Sequence, residues 1–194
     1  MTIVDAQREM RTRYVGGFYG QLVSAVLWLL SAAFAVWVGP RAGIWTVVVG
    51  GFFIFPLTEL LRRLLGHEGS LSADNSLGSL GMQVAFVLPL SMPLLVPVGL
   101  YRLTWFYPGL MILLGAHYLP FVFLYGMRAF WALGFLLAGG GVLIAMYWSS
   151  SFSIGAWFTA VVLLAFAGVG RAVAQQEHRQ AAQQAVGADE RRHG

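Results

Sequence analysis

The chain has 194 residues, 58% of them hydrophobic and only 10% charged, with a mean hydropathy of +0.72. A water-soluble domain carries about 25% charged residues, so there is too little polar surface here to face solvent on all sides, and the class is an integral membrane protein. The net charge of +4 does not point to nucleic acid, because the 12 basic residues are all arginines placed at the ends of apolar segments, and the lack of cysteine excludes disulfides, thiolate metal sites and cysteine nucleophiles.

The N-terminal stretch "MTIVDAQREMRTRY" is polar and a long apolar run follows it. A membrane span needs about 20 mainly apolar residues. Six segments meet that length: Gly16–Val38, Gly43–Leu65, Ser79–Leu100, Leu103–Met127, Arg128–Trp148 and Phe152–Val173. The first is too long for the core of a cleaved signal, and no cleavage pattern follows it. The breaks are short ("GPRA", "GHEGSLSADNSLG", "YR", the junction at "GMR", and "SSS"), which makes consecutive segments antiparallel neighbours. Backbone polar groups in lipid must pair within their own segment, so the segments are helices. The expected fold is all-α, a single six-helix transmembrane domain over residues 1–173 in an up-down bundle. A polar tail, 174–194, either extends the last helix or is disordered. His178 and His193 lie in that tail without an accompanying ligand cluster, so no metal is assigned to them.

Arginine placement sets the expected orientation. With the N-terminus inside, Arg8, Arg11, Arg13, Arg62, Arg63, Arg128, Arg171, Arg179, Arg191 and Arg192 are cytoplasmic, and only Arg41 and Arg102 are outside. Both termini are then cytoplasmic, as an even number of spans requires. Trp37, Trp45, Trp105 and Trp148 fall at the outer interface, where indoles are enriched. The expected location is the cell (inner or plasma) membrane, multi-pass.

The spans carry few polar groups, and those few are the candidates for function, since ionisable side chains at membrane depth usually face the bundle interior or a wet cavity. Span one holds Gln21 and a close-contact stripe of Gly16, Gly20 and Ser24. Span two holds Pro56, Thr58 and Glu59, the last four residues before Arg63, a spacing that suits a helix ion pair. Asp74 and Asn75 lie in the following loop. Span three holds Gln83 and the run "LPLSMPLLVP", in which Pro89, Pro93 and Pro97 free the carbonyls of Ala85, Pro89 and Pro93 on one face. That helix is expected to bend hard and open the outer half of the bundle, or to turn the proline face to protein or water. Span four holds His117 near its midpoint, Pro120 and Tyr125; Pro120 frees the carbonyl of Ala116 next to the histidine. "GFFIFPL" from Gly51 aligns with "GAHYLPF" from Gly115, so two helix hairpins related as a parallel repeat are expected, as in some transporters. Spans five and six are nearly free of polar atoms; Gly139, Gly140 and Gly141 and the small residues of span six suit a packing buttress or a homo-oligomer face.

The ligand-binding candidates are thus His117, Glu59, Gln83, Gln21, Thr58, Tyr125 and Asn75, expected to line a cytoplasm-facing polar cavity walled by spans one to four, with His117 near its floor. The expected helix kinks are Pro56, Pro89, Pro93, Pro97 and Pro120. Each candidate also has a purely structural reading: an ion pair for Glu59, interhelical hydrogen bonds for Gln21 and Gln83, a satisfied histidine for His117. No catalytic set, phosphate loop, metal site or cofactor ligation pattern occurs, and no cofactor or nucleic-acid partner is expected.

At "GAHYLPFVFLYGM" the chain resembles a family of small bacterial membrane proteins catalogued as a domain of unknown function. Members carry a similar Gly-Ala-His-x-Leu-Pro stretch followed by aromatics and Leu-Tyr, and a Pro-Leu after the second apolar run, here Pro56–Leu57. An Asn-Pro-Leu is typical ahead of span three, where this chain reads "DNSLGSLGMQ" with Ser76 in place of the proline. The similarity covers most of residues 10 to 145. It implies a multi-span protein and transfers no reaction. Three functions stay open at this stage: binding or transport of a small molecule or lipid, catalysis on a lipid or isoprenoid with His117 oriented by Glu59, and a non-catalytic structural or partner subunit.

Overall fold

The computed structural model describes residues 1–66, 70–148 and 150–193, without the side chains of 178, 181, 182 and 184–193. The readings of His178 and His193, and parts of the "GHEG" and "SSS" breaks, therefore lie outside the described residues. Among the described residues there is no strand.

The polar N-terminal stretch, given no element above, is a helix, α1 (Ile3–Tyr14). Its start is fixed by a capping motif: the Thr2 hydroxyl accepts the Asp5 N–H at 3.2 Å and donates to Asp5 Oδ2 at 2.5 Å. Its apolar side is narrow, with Ala6 and Met10, one turn apart, as the buried residues. It ends where Val15, Gly16 and Gly17 take φ of 50°, 61° and 86° in succession.

Span one is α2 (Phe18–Trp37), and span two is α3 (Pro40–Gly51) plus α4 (Ile54–Leu64). Span three is α5 (Ser76–Ser91), a 3-10 turn at Met92–Leu94, and α6 (Leu95–Tyr101). Span four is α7 (Phe106–Tyr118) plus α8 (Phe121–Tyr125), span five is α9 (Ala129–Tyr147), and α10 (Ile154–His193) supplies span six and continues as a helix through the tail. Five of these segments are long and apolar enough to cross a membrane, and there are six if the two helices of span two, bent by 61° at their break, count as one span. The fold is an all-α polytopic bundle with Pro-interrupted spans two, three and four.

The prolines act through their position in the helix turn. Pro56 is the third residue of α4, Pro97 the third of α6, Pro93 the second of the 3-10 turn, and Pro120 the N-cap of α8. All four sit in a first turn, where the missing N–H has no intrahelical partner to lose. The upstream helix stops instead: Phe52 and Phe53 bond back to Val49 and Gly50 in tight turns at the bend of span two. Pro89 alone lies inside a helix. Span three is helical through residues 76–101, interrupted by the 3-10 turn at Met92–Leu94. Its proline face does not turn to protein: Pro89, Pro93 and Pro97 are all exposed. The tight turn at Met92–Leu94, with Leu95 N–H bonding back to Met92 and Pro93, absorbs the interruption locally.

The core lies between spans one, four, five and six, around the fully buried Tyr107, Leu110, Met111, Leu133, Leu137 and Leu163. Glycines permit the approach: a Cβ on Gly115 would fall 2.5 Å from the Gly134 carbonyl, and one on Gly16 would fall 2.5 Å from that of Gly170. Gly140 and Gly141 also face inward, against Phe158 and Pro108, while Gly139 faces open space. One buried polar group of span one ties three spans: the Ser31 hydroxyl bonds the Gly43 carbonyl at 2.8 Å and the Tyr107 hydroxyl at 2.6 Å, joining spans one, two and four. Span three is peripheral, with 11% of its apolar stretch buried against 44% in span four. Both termini lie on one side, where Arg11 Nε meets Glu177 Oε1 at 2.8 Å.

Candidate functional site

The seven candidate residues do not converge on one chamber. Asn75 is structural: its Oδ1 caps α5 by accepting the Leu77 N–H at 3.0 Å, and its Nδ2 donates to the Ala6 carbonyl and to Glu9 Oε2 at 3.2 and 2.7 Å. Gln21 faces the other way, among Gly16, Met127, Phe130, Phe166 and Gly170, with its Oε1 buried and unpartnered. Gln83 is exposed on span three, and Thr58 Oγ1 is buried without a bond on α4. Tyr125 is buried in an aromatic group, its ring stacked on Phe121 at 5.8 Å and Phe130 at 5.4 Å and edge-on to Tyr14 at 6.5 Å.

Glu59 is committed to arginine. Arg62 grips it with two bonds, Nε to Oε2 at 2.9 Å and Nη2 to Oε1 at 2.6 Å, and Arg63 Nε donates to Oε1 at 2.9 Å. Arg13, from the end of α1, approaches the same oxygen at 3.8 Å. The i,i+4 pair with Arg63 was legible in the sequence; the arrival of Arg13 was not, because α1 itself was not.

His117 is different. It projects from α7 between spans three and four, ringed by Tyr118 at 5.7 Å and Phe121 at 5.2 Å. The backbone carbonyl of Val84 on α5 lies beside the imidazole. Nδ1 is buried and has no hydrogen-bond partner. Among the described residues no bond joins His117 to Glu59, which is held by Arg62 and Arg63. Nδ1 thus lies near the middle of its span with its hydrogen-bonding capacity unused. Such an atom can accept a hydrogen bond from a hydroxyl, an amine or water. Lipid tails offer none.

Beneath this ring, on the side of the termini, lies α1. Met10 reaches to within 3.7 Å of where a Gly81 Cβ would stand, one helical turn from Val84. Tyr14 meets Tyr125, Tyr125 stacks on Phe121, and Phe121 meets His117. Sequence reasoning missed this floor, although "TIVD" is a capping pattern and Ala6, Met10 and Tyr14 recur every four residues.

Elsewhere, an apolar groove of about 500 Å³ runs between spans five and six, lined by Phe135, Gly139, Leu143, Trp148, Ile154 and Phe158. Its lining is apolar apart from the indole N–H of Trp148. Among the described residues no group of three or more His, Cys, Asp or Glu side chains could hold a metal ion.

Compared with known proteins, the chain matches no curated protein and no solved structure. Residues 3–171 match the family described as "Family of unknown function (DUF7010)", a match that takes in α1, all six spans and His117, and the chain belongs to that family.

Proposed function

We propose that this protein sits in the cell membrane with both termini in the cytoplasm and binds a small molecule or lipid through His117. The observation that carries the reading is the buried, unpartnered Nδ1 of the His117 imidazole, which lies beside the Val84 carbonyl of span three. A polar atom at membrane depth without a partner is costly, and such groups mark ligand or ion pathways more often than they mark packing. The ligand is a molecule with a hydroxyl or amine donor on an otherwise apolar body. The donor meets Nδ1, and the body lies against Phe121, Tyr118 and the exposed flank of span three. Binding is the core of the proposal, and transport would use the same site.

The orientation is supported by the arginine count, with ten on the side of the termini against two on the other. Acid–base catalysis finds less support, because its proposed orienter, Glu59, is occupied by Arg62 and Arg63.

The test is extraction of co-purifying small molecules and lipids from purified protein, compared by mass spectrometry with His117→Ala and His117→Phe. The expected result is a species enriched in the wild type and depleted about tenfold or more in both variants, with the bundle still folded. Equal profiles from all three folded proteins would overturn the proposal.

A further inference from the structure

The geometry points to α1 as a hinged latch that closes the route from the side of the termini to His117. Three observations converge on it, and the gating part rests on the ligand reading above.

The first is what fastens α1. Gln7 Nε2 donates to the Phe123 carbonyl at 2.6 Å, and Arg11 Nη1 donates to the Tyr125 carbonyl at 2.5 Å. These are carbonyls at the C-terminal end of span four, where that of Phe123 also accepts the capping Gly126 N–H at 3.3 Å. Arg11 also meets Glu177 on α10. Glu9 Oε1 accepts from the Ser72 N–H and hydroxyl at 2.7 and 2.6 Å. The attachment is mostly polar and several of its bonds are exposed to solvent, while the buried apolar contribution is limited to Ala6 and Met10. Segments held in this way belong to the readily opened part of a fold.

The second is the pivot. Val15 holds a left-handed conformation that a β-branched residue seldom adopts, and Gly16 and Gly17 continue it. The Gly16 backbone is packed directly on that of Gly170, so the pivot is anchored to span six. Rotation at Val15–Gly17 swings α1 and leaves span one in place.

The third is what α1 covers. Met10 lies under Gly81, and Tyr14 lies against Tyr125, on the column that leads through Phe121 to His117. Lifting α1 removes both side chains and uncovers that column.

The chain has no cysteine, so an introduced thiol is the only one present. The experiment places single cysteines by Met10→Cys, Val84→Cys or, as an access control on the exposed loop, Ala73→Cys. Labelling by a membrane-impermeant maleimide is followed with the side of the termini facing the reagent. Each is measured with and without the release pair Gln7→Ala and Arg11→Ala. The expected result is slow labelling at positions 10 and 84 that rises about tenfold or more in the release background, as loss of two hydrogen bonds predicts. Labelling at position 73 stays unchanged. Unchanged rates at position 10 would overturn the latch, and acceleration at position 10 without position 84 would overturn its gating role. No ligand is needed, so failure here is separate from failure to find a molecule at His117. A circular-dichroism melt of each variant shows that acceleration does not come from unfolding, and Arg11→Lys alone, which keeps an N–H donor at both positions, leaves labelling slow.

Discussion

The imidazole of His117 on span four lies beside the backbone carbonyl of Val84 on span three, and its buried Nδ1 has no hydrogen-bond partner. The ring stands where a span with 11% of its apolar stretch buried meets one with 44% buried. The proposed binding depends on this one ring.

His117→Ala should therefore have two separable effects. Loss of the ring's polar contact with the Val84 carbonyl costs at most about 1 kcal/mol, read as a small fall in melting temperature in detergent. Ligand retention should fall much further, by about tenfold or more. A fall in stability large enough to unfold the bundle would show that the histidine is mainly a strut.

Glu59→Gln should destabilise the protein by roughly 1.5–3 kcal/mol, the scale for hydrogen bonds to charged groups. It weakens the two-point grip of Arg62, whose side chain is only 3% exposed, and the bond from Arg63. Arg63→Ala, at a side chain 66% exposed, should cost at most about 1 kcal/mol. Thermal unfolding of the two variants side by side checks the order.

Two glycines should respond oppositely. A Cβ at Gly115 would press on the Gly134 carbonyl and on the backbone N of Ala138, at 2.5 and 2.7 Å, so Gly115→Ala should cost about 1–3 kcal/mol. At Gly139 nothing lies within 4 Å, and Gly139→Ala should be neutral or stabilise by about 0.5 kcal/mol through helix propensity alone. Melting temperatures in one detergent decide the sign of each. If Gly139→Ala instead disrupts an oligomer seen by light scattering, that open face is a subunit contact.

Ser31→Ala and Tyr107→Phe should each cost about 1 kcal/mol, and the double variant less than their sum. The two hydroxyls share one bond at 2.6 Å, so either change removes it. Additive losses would mean that the bonds to the Gly43 and Ser31 carbonyls carry the effect separately.

The sequence made the spans legible because burial in lipid imposes one pattern, a long apolar run, that tertiary contacts hardly alter. It showed where the chain breaks at Pro56, Pro93 and Pro120, since a missing N–H acts locally. It left open how the face of Pro89, Pro93 and Pro97 is accommodated, because that depends on where the helix restarts: Pro93 and Pro97 occupy first turns. The site was only partly legible. His117 stood out by depth, and Glu59 by its spacing from Arg63. Which way Gln21 faces depends on helix rotation, which an almost uniformly apolar span does not encode. The placement of α1 depends on contacts between residues more than a hundred positions apart, such as Gln7 with Phe123.

The most direct test of the account is a high-resolution structure of the protein in lipid nanodiscs, read at His117. The account predicts non-protein density within about 3 Å of Nδ1, and loss of that density in His117→Ala. A ring turned outward into acyl chains, or an Nδ1 bonded to another side chain of this protein, would contradict it.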